Sequence, residues 1–74
     1  MIKPLAELGV GRRAVVAKVR GTAEEACSLR DLGLHVGAEV MVLQGREGSS
    51  VMVAVADARI GVNFDLTKKI LVNC

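Results

Sequence analysis

The sequence predicts a small, mainly β domain in which five short strands form a barrel and one short α-helix follows the first strand. Two observations lead to this prediction. The chain has 74 residues, 51% of them apolar, which suits one domain with a dense aliphatic core. Apolar and polar residues also alternate with period two in five separate segments, and this alternation is typical of half-buried strands.

The N-terminal part predicts a helical turn followed by the first strand. The turn is expected at residues 4–8, because Pro4 is favourable at a first helical position, where its missing N–H costs least. Gly9 and Gly11 then mark a break. Residues 14–20 alternate between two faces and predict the first strand.

The helix has the clearest local signals in the chain. Thr22 and Glu25 form a capping-box pattern, in which each side chain can pair with the backbone amide of the other residue. The helix is expected to run to about residue 32, because Gly33 suits the left-handed position just past a helix end. Leu34 is then placed to close a Schellman motif by contacting Leu29.

Four further strands are predicted after the helix. They lie at residues 39–44, 51–56, 59–64 and 69–73. A polar loop at residues 45–50 joins the first two, Asp57-Ala58 joins the next two, and Asp65 is expected to cap a one-turn helix. Since a flat sheet of this size would leave exposed edges, we expect a small SH3-like barrel that forms a single domain over residues 1–74.

Composition argues against nucleic-acid binding and membrane insertion. The net charge is only +2 and Phe64 is the one aromatic residue, whereas nucleic-acid binders use clustered cations and aromatic platforms. No apolar run approaches the roughly 18 residues that span a bilayer. Cys27 and Cys74 are interpreted as free thiols, the first a small core residue and the second exposed, which indicates a cytoplasmic protein.

Catalytic and metal-binding patterns are lacking in the sequence. His35 is the only histidine, and a catalytic histidine generally needs an orienting partner. No C-x-x-C or H-x-x-x-H pair provides metal ligands, and the glycine-rich segments do not match a phosphate-binding loop. We therefore predict a binding protein and not an enzyme, with no catalytic residue, cofactor or metal site.

Residues 29–43 have a recognisable pattern: a helix ending Leu-Arg-Asp-Leu-Gly-Leu, a turn with Gly37, and a strand. This stretch resembles the FeoA family, and the resemblance extends to the start and the last two strands of the chain. Val36 differs from the proline that the family often has, and the loop after Leu43 is shorter. The resemblance implies an SH3-like accessory or regulator of ferrous iron uptake that binds FeoB, a membrane transporter with a cytosolic GTPase domain.

Contact residues for that partner are expected at the helix end and its turn. The candidates are Arg30, Leu34, His35 and Val36, joined by Met41 and Met52 if these face outward. The alternative is that Leu34 only closes the Schellman motif and that both methionines fill the core.

Other interpretations stay open at this point. Residues 36–48 also look like a KOW motif, which would make the chain a nucleic-acid-binding barrel. FeoA-like barrels further resemble the C-terminal SH3-like domain of iron-dependent repressors, although a chain with its own Met and N-terminal turn favours a whole protein. The strand edges could pair two chains into a homodimer. We expect no insertion into the membrane, and recruitment to its inner face by the partner.

Overall fold

The computed structural model describes residues 1–45 and 50–74. Six strands lie in this part of the chain: β1 (Ile2–Pro4), β2 (Arg13–Val19), β3 (Glu39–Gln44), β4 (Ser50–Val55), β5 (Ala58–Asn63) and β6 (Ile70–Asn73). The helices are a 3-10 turn at Leu5–Glu7, α1 (Ala23–Asp31) and the short α2 (Phe64–Thr67).

The strands form one antiparallel sheet in the order β1-β6-β2-β3-β4-β5. Its register shifts twice, between Val16 and Lys18 on β2 and between Val42 and Gln44 on β3. Such irregularities bend a strand and increase its twist, and they let a single short sheet curve around its own apolar face.

The core lies on the inner face of this curved sheet. Val40 and Val42 of β3 are buried, whereas Met41 between them is half-exposed, and the same alternation runs along β4. The most deeply buried side chains are Leu5, Val16, Leu29, Leu34, Val40, Val53, Thr67, Ile70 and Val72. Period-two alternation in the sequence therefore becomes an aliphatic core in the fold.

The predicted fold class is confirmed, with one difference in strand number. The described residues form six strands and not five, because Ile2–Pro4 pairs with the end of β6, with Ile2 opposite Asn73 and Pro4 opposite Leu71. Three residues ending in proline show no alternation that a sequence pattern could detect. The helix consequently follows the second strand and not the first.

Three smaller predictions about the second half need correction. Phe64 begins α2 and does not end a strand. Asn63 and not Asp65 caps this helix, since the Asp65 amide donates to Asn63 Oδ1 at 2.8 Å. The tight turn between β4 and β5 has Ala56 at φ +53°, one residue earlier than predicted. Residues 46–49 of the predicted polar loop lie outside the described residues.

Candidate partner-binding surface

Residues 22–36, the helix arm, are fixed at both ends by local hydrogen bonds. At the start, the Glu25 amide donates to Thr22 Oγ1 at 3.1 Å, and the Thr22 amide donates to Glu25 Oε1 at 3.0 Å. At the end, the Leu34 amide donates to the Leu29 carbonyl at 2.8 Å while Gly33 adopts φ +97°. These are the capping box and the Schellman motif that the sequence predicts.

Few contacts attach the helix arm to the barrel. Leu29 is the one buried residue of α1, and Leu34 after the helix is buried in the same core. Lys69, just before β6, donates to both carboxylate oxygens of Glu25 at 3.2 Å. The hydrogen bond from the Thr22 amide, followed by that from the Lys69 ammonium, lowers the pKa of the Glu25 carboxyl below its ordinary value.

A groove of about 640 Å³ separates the arm from the end of β2. We call it the cationic groove; its lining residues are Lys18, Val19, Ala23, Ala26, Cys27, Arg30, Leu34, His35 and Val36. The four α1 residues in this set follow the spacing i, i+3, i+4, i+7, which places them on one face of the helix. The groove thus has a helical wall of small side chains facing a wall from β2.

Lys18 and Arg30 give this groove its charge. Both are exposed, one on each wall, and no Asp or Glu is found among its described lining residues. The ion pairs between described residues include neither of them. Arg30 Nη2 donates a hydrogen bond to Cys27 Sγ at 3.5 Å. This acceptor is not a carboxylate, so the charge of the guanidinium is not paired by it.

A second groove of about 640 Å³ lies on the other side of the helix end and has the opposite charge. We call it the acidic groove, because Asp31, Glu39 and Asp57 are among its lining residues and no Lys or Arg is found among those described. His35 lines both grooves and separates them. Its Nδ1 lies 3.0 Å from the Val36 carbonyl oxygen.

The structure brings together three of the six predicted contact residues. Arg30, His35 and Val36 are exposed at the cationic groove, with Val36 65% accessible. Leu34 lies beneath them and is 0% accessible. The side chain of Leu34 is therefore not exposed to a partner in this structure, and its backbone closes the Schellman motif, as the alternative interpretation expects.

Met41 and Met52 lie elsewhere, on the outer face of β3 and β4. Both are half-buried and neither belongs to the core cluster, so they do not fill the core. The Met52 sulfur covers Gly61, the residue opposite it on β5. They do not line the cationic groove, and so the predicted set does not form one continuous site.

Sequence reasoning missed several groove residues and misplaced one. Cys27 was expected in the core but is exposed, because α1 turns Leu29 and not Cys27 toward the barrel. Ala23 and Ala26 carried a usable signal, since with Cys27 they form a stripe of small residues at helical spacing. Lys18 carried none, because its place opposite Arg30 depends on how β2 and α1 are arranged in space.

The described part of the chain offers no metal-binding cluster. Within residues 1–45 and 50–74, no three His, Cys, Asp or Glu side chains are placed to share an ion. None of the helices in these ranges has the length and apolar character needed to cross a bilayer.

Comparison with known proteins now assigns the family. The model of the FeoA domain matches residues 3–74. The chain belongs to the FeoA family. A search of the curated proteins finds no significant match, so the structural relatives provide the remaining comparison.

Solved FeoA structures are similar to this chain over nearly its whole length. A crystal structure of an iron uptake regulatory protein FeoA has a TM-score of 0.93 and 26% identity, covering 99% of this chain and 97% of that one. FeoA of Chlorobium tepidum has a TM-score of 0.87 and 30% identity, and the match covers 95% of this chain and 68% of that one. Zinc-complexed FeoA of Stenotrophomonas maltophilia is described as an SH3 domain protein. It has a TM-score of 0.81 and 28% identity, and the match covers 95% of this chain and 88% of that one.

Metal-dependent repressors share the fold alone. A manganese-dependent transcriptional repressor has a TM-score of 0.87 at 19% identity, and the match covers 96% of this chain but 40% of the repressor. This likeness agrees with the expected similarity between FeoA-like barrels and the SH3-like domain of such repressors.

Proposed function

We propose that this chain is a cytoplasmic accessory protein of ferrous iron uptake that binds a FeoB-like transporter through its helix-end face. Membership of the FeoA family supports the link to iron transport, as does the description of the Stenotrophomonas maltophilia protein as a candidate activating factor for ferrous iron transport. The transporter, a membrane protein with a cytosolic GTPase domain, recruits the chain to the inner face of the membrane.

The observation that carries this proposal is the exposure of Arg30, His35 and Val36 at one concave surface. An exposed aliphatic side chain beside a guanidinium is typical of protein contact surfaces, in which arginine is enriched. The capping box and the Schellman motif order the helix arm before any partner arrives. A pre-ordered surface loses less entropy on binding, which favours association.

Binding also explains the surface better than catalysis does. His35 is exposed and the only described hydrogen-bond contact of its ring is the Val36 carbonyl, so nothing described orients the ring as an acid or base toward a nucleophile. The nearby thiol of Cys27 contacts Arg30 and not His35. We therefore assign no reaction and no cofactor to this chain.

The KOW-like alternative gains no support from these residues. Part of that segment, residues 46–48, lies outside the described residues. Residues 36–45 contain no Lys or Arg, and Arg13, which lies on the neighbouring strand β2, pairs with Glu39 of the segment at 3.9 Å. The iron-repressor alternative rests on likeness of fold at 19% identity, which carries no argument about function.

A titration of the isotope-labelled chain with the cytosolic GTPase domain of the FeoB from the same organism, with and without a GTP analogue, tests the proposal. We expect amide shifts at residues lining the cationic groove, and weaker binding by R30E. The matched control is R59E, which makes the same charge change at an exposed position on β5. An absence of shifts at millimolar partner would contradict direct binding to that domain.

A further inference from the structure

We propose that the cationic groove takes an acidic segment of the partner, in which carboxylates flank a central apolar side chain. This inference rests on the proposed function, because it assigns the chemistry of the segment that occupies the same surface. Three features of the surface support it: the shape of the groove, the placement of its two cations, and the opposite charge of the neighbouring groove.

The shape suits one inserted side chain. Ala23, Ala26 and Cys27 keep the helical wall low, and Val19 and Val36 contribute aliphatic surface opposite and beside it. The volume of about 640 Å³ falls within the roughly 300–1,000 Å³ of sites that hold whole small molecules, so the groove has room for the flanking residues of a short segment as well as for its central side chain. An aliphatic or aromatic side chain that enters here exchanges water contact for contact with these small apolar groups.

The two cations fix the sign of the flanking residues. Lys18 belongs to β2 and Arg30 to α1, so a segment lying along the groove passes between them. Neither is neutralised by an ion pair within the described residues. Arginine presents a planar fork that can bind a carboxylate through two hydrogen bonds, while lysine acts as a mobile point charge.

The acidic groove excludes the same segment from the other side of His35. Asp31, Glu39 and Asp57 lie along it, and although Glu39 pairs with Arg13, neither Asp31 nor Asp57 has an ion pair within the described residues. Like charges placed close together oppose association. An acidic partner is therefore directed to one groove of two that have the same volume. A basic segment would be directed to the other groove, so the charge of the partner determines where it docks.

Blocked synthetic peptides test this chemistry directly. The probe is a short peptide with one central Leu and two Glu on each side; its controls replace every Glu by Gln or by Lys. We expect the acidic peptide to shift the amides of the cationic groove, with an affinity that falls as salt rises. K18E and R30E should each weaken it by about tenfold, whereas R59E should leave its affinity unchanged.

The same variants separate this inference from the proposed function. If the FeoB domain shifts the amides of the groove but K18E and R30E bind it as tightly as the parent chain, the acidic chemistry is wrong. The proposed contribution of Arg30 fails with it, and only direct binding of the transporter at this face, which the amide shifts report, still stands. If the acidic peptide binds the groove but the FeoB domain does not, direct binding to that domain is wrong and the acidic chemistry of the groove stands. Equal affinity for the Glu, Gln and Lys peptides, or no binding of any of them at millimolar concentration, overturns the inference. Unchanged amide dispersion in the variants confirms that they are folded.

Discussion

The barrel and the helix arm are stabilised in different ways. In the barrel, side chains from every strand from β2 to β6 are buried together, and its strand pairs join residues far apart in sequence. The arm contributes two buried side chains to the core, Leu29 of α1 and Leu34 after it, and its shape is set by hydrogen bonds between residues at most five apart. The barrel is thus a cooperative unit, whereas the arm is locally ordered and lightly attached.

This difference matters because the cationic groove is bounded by one wall of each kind. Elements with little buried apolar surface open at lower free energy than the core does. The groove can therefore change width when the arm moves, while the barrel wall at Lys18 and Val19 stays in place. A helix arm that is ordered by its own hydrogen bonds but has few contacts with the barrel would allow the cationic groove to adjust its width to a bound segment.

The largest expected effect comes from removing one buried aliphatic side chain from each region. I70A should lower the global free energy of unfolding by about 2–5 kcal/mol, the usual cost of such a cavity, since Ile70 is fully buried in the barrel. L29A removes a side chain of the same size that is 2% accessible, but we expect its effect mainly in the arm. Urea unfolding combined with amide hydrogen exchange measures both.

In L29A, protection should be lost over residues 24–32 while the amides of β4 stay protected. If L29A lowers the urea midpoint as much as I70A does, and β4 amides lose protection together with the arm, the two regions form one cooperative unit and the comparison fails.

A smaller effect is expected at the turn between β4 and β5, where the barrel itself is strained. Ala56 has φ +53°, a region that glycine enters without steric cost. A56G should therefore raise the global free energy of unfolding by about 1 kcal/mol. The matched control is A58G, the same change at the first residue of β5, which should lower stability by about 0.5–1 kcal/mol. Thermal unfolding gives both values, and a loss of stability in A56G would contradict the argument.

The same comparison explains what the sequence could predict. Thr22, Glu25 and Gly33 allow the arm to be predicted in detail, because each interaction lies within a few residues of the chain. Alternation allows the long strands to be predicted for the same reason. Two features depend on tertiary arrangement, which a local pattern does not contain: the pairing of Ile2–Pro4 with β6, and the placement of Lys18 and Arg30 on opposite walls of one groove.

Helical periodicity also led to one wrong prediction in the arm, the burial of Cys27. A typical surface helix buries a wide apolar stripe, and on that assumption Cys27 belongs in the core. Here α1 buries Leu29 alone, and the remaining apolar stripe lines the cationic groove. An apolar helical face in a small domain can therefore mark a binding surface, when nothing in the fold covers it.

The smallest effect concerns the ion pair that joins the arm to the barrel, and it depends on pH. The Thr22 amide and the Lys69 ammonium lower the pKa of the Glu25 carboxyl in the folded chain. A lowered pKa stabilises the folded form above the unfolded value of about 4.3, and this stabilisation is lost as pH falls through the folded value. Acid should therefore loosen the arm before it unfolds the barrel.

E25Q tests this because glutamine keeps the reach-back hydrogen bond of the capping box but carries no charge for Lys69. We expect E25Q to show weaker amide protection in the arm than the parent chain at neutral pH, and the two to converge in acid. The control is E24Q, which alters an exposed carboxylate of the same helical turn and should keep the parent pH dependence. If E25Q keeps that dependence as well, another carboxylate couples the arm to the barrel. If E25Q loses the pH dependence, the Glu25–Lys69 ion pair couples α1, the helical wall of the cationic groove, to the barrel. The affinity of the groove for its partner should then follow the same pH profile.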